Sequence, residues 1–200
     1  ERDIREITQI GNMIAYRNLL HLACLRTGQI LNLSQLGRDA KLTAETTARY
    51  LSLLEASFVI EKLNPYLRNR ASRLIKSPKI YVSDSGLACF MAGINRINRY
   101  HQEPLSGAIF ETYIAQNLLS IIRSRWKEAR LCFWSVQGRH EVDFIVEVGR
   151  HCMALEVKSS ARWEKKDLSG LEAFLAATPH CRAAVLCHNG TQAVELGEKI

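Results

Sequence analysis

Two charged tripeptides placed about a glycine turn constrain the fold more than any other feature of this sequence. Glu141-Val142-Asp143 and Glu156-Val157-Lys158 flank Gly149-Arg150. A two-residue loop that begins with glycine suits a type II′ turn, whose twist matches that of antiparallel strands. The sequence therefore predicts a β-hairpin in which Asp143 faces Glu156.

The predicted register divides the hairpin into an apolar face and a charged face, because side chains alternate along a strand and opposed residues share a face. The apolar face comprises Val142, Phe144, Val146, Met153, Leu155 and Val157. The other face carries Glu141, Asp143, Glu156 and Lys158. Two adjacent carboxylates repel each other unless a cation lies between them. Mg²⁺ binds few carboxylates, retains waters and takes phosphate on its open side, so the pattern favours phosphodiester hydrolysis.

Composition is compatible with one large domain or two small ones. The chain has 200 residues, 47% of them hydrophobic, which is enough for a sizeable core. It shows no membrane-length apolar run and no signal peptide, so we expect a cytoplasmic protein without membrane association. Because it begins at Glu1 within a charged pattern, we expect it to be a fragment of a longer protein.

The charge of the chain indicates a class of binding partner, and its cysteine content indicates the state of its thiols. The formal net charge of +7 favours an anionic partner such as DNA, although an ordinary basic protein has the same balance. The six cysteines include no CxxC pair, which predicts buried, reduced thiols rather than a metal–thiolate site.

The first half has the pattern of a helical, winged-helix domain. Apolar spacing predicts a helix over residues 1–30, followed by a short helix over 33–40 capped by Ser34. Thr43 caps a second helix that ends near Ala56, which gives a helix-turn-helix. Strands are predicted at 58–60 and 79–82, so the segment between them is the wing.

This wing is strongly basic, with no acid among Arg68, Arg70, Arg73, Lys76 and Lys79. It is a candidate phosphate clamp; the alternatives are a solvated loop and a surface that docks a protein. If the module binds DNA, we expect Thr46, Arg49 and Tyr50 on the second helix to read it.

The second half has an αβββαβ order. A short helix opens at Asp84, and a polar stretch between Gly93 and Gly107 predicts a boundary. The expected domains are 1–93 and 108–200, joined by a linker at 94–107. Helices at 108–125 and 166–177 and strands at 130–136, 141–148, 151–158 and 182–187 predict an α/β (α+β) domain with a mixed sheet.

Glu111 is a third candidate acid. It borders the apolar stripe of the helix at 108–125, where an unpaired carboxylate is costly. It either points across to Asp143 and Glu156 or bends into solvent near the positive helix N-terminus. The strand carboxylates favour the first interpretation.

Together, Glu111, Glu141-Val142-Asp143 and Glu156-Val157-Lys158 on this order of elements resemble the PD-(D/E)XK nuclease superfamily, with the restriction-endonuclease-like fold. The whole chain resembles the C-terminal region of a bacterial and archaeal AAA+ ATPase family, in which a P-loop ATPase module precedes a winged helix and a nuclease-like domain. The strings that carry this resemblance are ERDI, KSPKIYVSDSGL, GAIFETYIAQNL, GRHEVDFIV and ALEVKSS.

The resemblance implies specific roles. Asp143, Glu156 and the Val157 carbonyl would bind Mg²⁺ or Mn²⁺, and Glu111 would complete the acidic cluster. Lys158 would orient the attacking water or stabilise the transition state. Lys165 and Lys166 are implied to contact the DNA backbone phosphate. Gln137 and Arg139 are implied to approach the substrate, although a polar turn explains these two residues better. No P-loop motif occurs, so ATP would bind only an N-terminal ATPase module outside this chain.

Three functions follow from these patterns. The first is a Mg²⁺-dependent DNA nuclease, supported by the complete Glu/Asp/Glu/Lys set. The second is a catalytically inactive DNA- or protein-binding module that positions the ATPase. A transcriptional regulator is a weaker third, because it leaves the acidic cluster without a role. The sequence leaves the oligomeric state open.

Overall fold

The computed structural model describes residues 10–67, 76–94, 103–136 and 139–200. Within them the fold is a mixed α+β arrangement of helices and two sheets. Among the described residues, no helix is long and apolar enough to cross a bilayer.

Of the helix predicted over 1–30, residues 1–9 lie outside the described part of the chain, and the described part is helical over a shorter range. Helix α1 spans Met13–Leu25, and its N-terminus is capped by Asn12. The chain then turns at Gly28, whose φ of +77° lies in the left-handed region, and enters the short strand β1, Gln29–Ile30.

The predicted helix pair is present, with one cap corrected. Helix α2 spans Leu33–Asp39 and helix α3 spans Ala44–Ala56, with Thr43 accepting the Thr46 N–H as predicted. The cap of α2 is Asn32, not Ser34, because the Asn32 side chain accepts the Gln35 N–H.

A three-stranded antiparallel sheet completes this half. It contains β1, β2 (Ile60–Leu63) and β3 (Lys79–Val82), in the order β1-β3-β2. The strand predicted at 58–60 starts only at Ile60, since Phe58 lies in a turn with φ of +57°. Helix α4, Ser85–Met91, follows where the short helix was predicted to open, and Asp84 is its N-cap.

The αβββαβ order of the second half is confirmed. Its elements are α5 (Ser106–Arg125), β4 (Arg130–Val136), β5 (His140–Val148), β6 (His151–Lys158), α6 (Ser169–Ala177) and β7 (Cys181–His188). The sheet order is β4-β5-β6-β7, and it is mixed because only β7 runs parallel to its neighbour. A 3-10 turn at Lys165–Leu168 precedes α6.

The hairpin register is confirmed near the turn. Val148 opposes His151 and Phe144 opposes Leu155, with Gly149 at φ +61°. Farther from the turn, β5 is irregular against β4, where Ile145 pairs with Cys132 but Val142 pairs with Trp134. Between these two pairs the chain moves three residues along β5 but only two along β4, so β5 contains a β-bulge.

The bulge overturns part of the predicted face assignment. Val142 packs in the cluster with Leu171 and Phe174 of α6, whereas Phe144 packs with Ala115 of α5. The expectation that Val142 shares a face with Phe144 is wrong, because the bulge rotates the start of β5 relative to the rest of the strand.

The two halves pack against each other along α5. The Arg123 guanidinium makes two 2.7 Å hydrogen bonds to the Glu61 carboxylate, and the Thr27 hydroxyl lies 2.7 Å from that of Thr112. Tyr66, from the first half, packs edge-on to Phe174 in the core of the second. The start of β3 thereby lies beside α5 and β5.

Candidate functional site

A buried lysine from the first half lies among the carboxylates of the second. The Lys79 Nζ is 3.2 Å from Glu111 Oε1 and 3.7 Å from Asp143 Oδ1, and it forms an ion pair with Glu141. Its side chain is 4% exposed and lies over the Phe133 ring. This ammonium therefore joins three elements, β3, α5 and β5, at one point.

Glu111 receives two donors from the same strand. Its Oε1 accepts from Lys79 Nζ and, at 2.5 Å, from the Tyr81 hydroxyl. Lys79 and Tyr81 are separated by one residue on β3, so alternation directs both side chains towards α5. Glu111 therefore points inward, as the sequence analysis favoured. Its hydrogen-bond donors, however, are Lys79 and Tyr81 on a strand of the first half.

Asp143 links Lys79 to the next strand. Its Oδ2 accepts the Val157 N–H at 2.8 Å, while its Oδ1 faces Lys79. Val157, which the resemblance implies as a carbonyl ligand, therefore contributes its N–H to Asp143. Asp143 is 8% exposed, and its charge acts on both Glu111 and Glu156.

Glu156 and Lys158 form the other side of the cluster. The Lys158 Nζ donates to Glu156 Oε1 at 2.7 Å, as expected for residues two apart on one strand. The second oxygen, Oε2, is buried and has no hydrogen-bond partner among the described residues. Glu156 is 8% exposed, and the charge of Asp143 acts on its carboxyl group.

The carboxyl groups are shifted towards protonation. Burial, with the nearby charge of Asp143, raises the pKa of both Glu111 and Glu156 to about 7, against the opposing effect of the lysines. Burial also raises the pKa of Asp143. Although burial alone would lower the pKa of Lys79, the charges of Glu111, Asp143 and Glu141 raise it, so the ammonium stays charged.

As arranged, these residues do not fit a bound metal. Within the described ranges, no three His, Cys, Asp or Glu side chains are placed to hold an ion. In addition, Glu111 Oε1 and Asp143 Oδ1 both face the Lys79 ammonium. The cluster has its cation, and that cation is an ammonium of the chain itself.

Of the predicted DNA-reading residues on α3, Arg49 is exposed, Thr46 is half-buried, and Tyr50 is in the core. Tyr50 is 2% exposed and packs edge-on to Tyr16, so the prediction that it reads DNA is corrected. An aromatic side chain that fills the space between α1 and α3 cannot also reach a DNA groove.

The basic wing is described only in part. Lys76 is exposed, whereas Lys79 is 3% exposed and is corrected from a phosphate contact to a partner of the acidic cluster. Arg68, Arg70 and Arg73 lie outside the described residues, as does Gln137. Lys165 and Lys166 are exposed, and Lys166 pairs with Glu164.

The sequence contained a signal for the role of Lys79 and Tyr81. Lys79 opens the apolar run Ile80-Tyr81-Val82, and all of β3 is buried. A lysine in a fully buried strand requires a negative partner. Grouping it with the basic wing by charge alone obscured that requirement.

The two halves match two different families. Residues 1–98 match a family described as a domain of unknown function, DUF8612, and residues 106–200 match a second domain of unknown function, DUF4143. These matches divide the chain near the polar stretch that separates α4 from α5.

Similar curated proteins occur in mycobacteria. The uncharacterized proteins Rv2008c of Mycobacterium tuberculosis and Mb2031c of Mycobacterium bovis are each 27% identical over 160 residues, which is 78% of this chain. The match covers 35% of each relative, so the chain spans about a third of their length. No solved structure matches the chain.

Proposed function

We propose that this chain is a non-hydrolytic DNA-binding module that positions an AAA-type ATPase within a longer protein. The observation that carries the proposal is the Lys79 ammonium, which occupies the acidic cluster where a nuclease would bind its metal. In this proposal the Lys79 ammonium, rather than a metal ion, neutralises the Glu111 and Asp143 oxygens, whereas metal-assisted hydrolysis needs a bound metal with an open position for phosphate.

Surface charge supports DNA as the partner. The net charge is +7, and the helix pair α2–α3 exposes Arg38, Lys41 and Arg49. Two short helices in close contact are the common geometry for presenting one helix to the major groove. Gly37 shows how close this contact is, because a Cβ added there would lie only 2.7 Å from Thr47 Oγ1. We therefore propose the winged-helix arrangement for this half.

The ATPase association rests on the resemblance of the whole chain and on the greater length of its relatives. The chain covers about a third of the mycobacterial proteins, which leaves room for a further domain. In this proposal the second half has a restriction-endonuclease-like fold that acts as a docking platform.

A second candidate is the Mg²⁺- or Mn²⁺-dependent nuclease. The observation in its favour is the Glu156 Oε2 atom, a buried oxygen without a hydrogen-bond partner in the described part of the chain, on a carboxyl group that the charge of Asp143 influences. Such an oxygen destabilises the fold unless a proton or a cation satisfies it. With Lys79 in place the carboxylates do not fit a metal, so this function requires a different arrangement of the cluster.

One experiment separates the two candidates. The chain is incubated with supercoiled plasmid and with branched DNA, in the presence of Mg²⁺ or Mn²⁺, and binding is followed by gel retardation. We expect retarded but intact DNA. Cleavage that disappears in Asp143→Asn would establish the nuclease instead, and intact DNA that is not retarded would remove DNA from the proposal.

A further inference from the structure

We infer that Lys79 is a resident cation that holds the place of a divalent ion, so that the cluster binds Mg²⁺ or Mn²⁺ only after this ammonium leaves. The inference deepens the proposed function, on which it rests, because it states what keeps that site non-hydrolytic.

Competition for the same oxygens is the first step. Lys79 Nζ lies 3.2 Å from Glu111 and 3.7 Å from Asp143, and it also pairs with Glu141. A Mg²⁺ ion needs its ligand oxygens at about 2.0–2.1 Å in octahedral geometry. An ion among these oxygens would be adjacent to the ammonium and strongly repelled by it, so the two cations exclude each other.

The second step is what remains when the ammonium leaves. The Glu111, Glu141, Asp143 and Glu156 carboxylates would then face the single ammonium of Lys158. Three of the four carboxyl groups are buried or nearly so, and Glu156 contributes an oxygen without a partner. Such a group of oxygen donors favours a hard divalent cation. Lys79 contacts Glu111, Glu141 and Asp143, so within the described residues this Glu156 oxygen stays available to a cation that enters the cluster.

The third step concerns how the ammonium is held. Lys79 belongs to β3, which is hydrogen-bonded to β1 and β2 in the sheet of the first half. Its carboxylate partners lie on α5 and β5 of the second half. Lys79 can leave the cluster only if this sheet shifts against α5 or the side chain withdraws. The ammonium therefore makes occupation of the cluster depend on how the two halves are docked.

The experiment measures metal binding directly. Mn²⁺ and Mg²⁺ are titrated into the wild-type chain and Lys79→Met, with calorimetry for binding and thermal unfolding for stabilisation. We expect Lys79→Met to bind Mn²⁺ at least about tenfold more tightly than the wild type and to gain a metal-dependent rise in melting temperature. Lys76→Met, which removes an exposed lysine nearby, is the matched control and should behave as the wild type.

Two variants make the result specific. Lys79→Met combined with Asp143→Asn should lose the gained binding. Lys79→Met combined with Glu111→Gln removes one negative charge together with the lysine, and it tests the inference if Lys79→Met alone does not fold. Tight Mn²⁺ binding by the wild type would overturn the inference, as would a folded variant, Lys79→Met alone or with Glu111→Gln, that binds Mn²⁺ no more tightly than the wild type.

These outcomes are independent of DNA. A wild type that binds no metal and no DNA would refute the proposed DNA-binding function but leave the role of Lys79 intact. A wild type that binds both metal and DNA would support the DNA-binding function but refute the role of Lys79.

Discussion

At the scale of single residues, the acidic cluster is an ion-pair network with more acids than bases. Lys79 and Lys158 face Glu111, Glu141, Asp143 and Glu156. Removing one partner of a buried pair typically costs about 3–5 kcal/mol, because it leaves an uncompensated charge. The chain avoids part of that cost because burial favours protonation of the excess carboxyl groups.

The raised carboxyl pKa values predict that stability falls as pH rises. The pKa of Glu111 is about 7 in the folded chain, by burial and the charge of Asp143, against 4.5 in the unfolded reference. Between these values the folded chain binds more protons than the unfolded chain. The free energy of unfolding should therefore decrease from about pH 5 to pH 8, by on the order of 3 kcal/mol.

Denaturant unfolding across that pH range measures the effect. Glu111→Gln should reduce the slope of the pH profile, because an amide imitates the protonated carboxyl and cannot lose its proton, while the contribution of Glu156 remains. The exposed Glu128→Gln is the control and should keep the wild-type slope. A Glu111→Gln chain with an unchanged slope would contradict the assignment.

At the scale of elements, the close approach of α6 to β5 supports the start of the acidic strand. Gly170 lies in the first turn of α6, and a Cβ there would be 2.1 Å from the Glu141 carbonyl oxygen. No side chain fits at this position, so the glycine is required by packing against backbone. Helix α6 thus fixes the Glu141 backbone, which precedes the bulge in β5.

Gly170→Ala should destabilise the chain although alanine is the better helix former. Helix propensity favours alanine by about 0.5–1 kcal/mol, but overpacking against backbone typically costs 1–3 kcal/mol or more. We expect a lower melting temperature in thermal unfolding. Gly11→Ala is the control, because no atom of the described residues lies within 4 Å of its Cβ position. A Gly170→Ala chain as stable as the wild type would show that α6 is free to shift.

The helix pair gives a second prediction at this scale. Arg49 is the exposed cation on α3, and its guanidinium lies 5.4 Å from the ring centroid of Tyr50, which holds it against the helix surface. Arg49→Ala should weaken DNA binding and reduce the salt slope by about 0.9 for each lost phosphate contact. Fluorescence anisotropy at several salt concentrations measures both. The exposed Arg125→Ala, on α5, should leave them unchanged, and equal losses in the two variants would point to nonspecific charge.

At the scale of the whole molecule, the two halves are joined by buried polar contacts as well as apolar ones. Thr27 is 1% exposed, and its hydroxyl accepts the Val82 N–H at 3.1 Å and lies 2.7 Å from the Thr112 hydroxyl. The contact connects the end of α1, strand β3 and helix α5. Separate families match the two halves, but in the folded chain these contacts join one half to the other.

We therefore expect a single cooperative unfolding transition. Thr27→Val should lower its midpoint, because it leaves the buried Val82 N–H without a partner, at a cost of about 1–3 kcal/mol. Differential scanning calorimetry measures the number and position of transitions. The exposed Thr191→Val is the control. Two resolved transitions, of which Thr27→Val shifts only one, would show that the halves fold independently.

Local chemistry allowed much of the second half to be predicted. The glycine turn and the alternating side chains gave the hairpin register from Val148 to Phe144, and the αβββαβ order followed from element lengths. The caps at Thr43 and Asp84 were equally local. The bulge at the start of β5 was not predictable in this way, because it depends on how β4 and α6 pack around that strand.

The sequence by itself determined the strands of the second half and that Glu111, Asp143 and Glu156 are candidates for one cluster. Only the tertiary structure decided which cation they meet. Lys79 reaches the cluster because the sheet of the first half docks on α5, and no periodicity or turn signal encodes a contact between elements so far apart in the chain. The identity of the counter-ion is therefore a property of the packing, whereas the acids are a property of the strands.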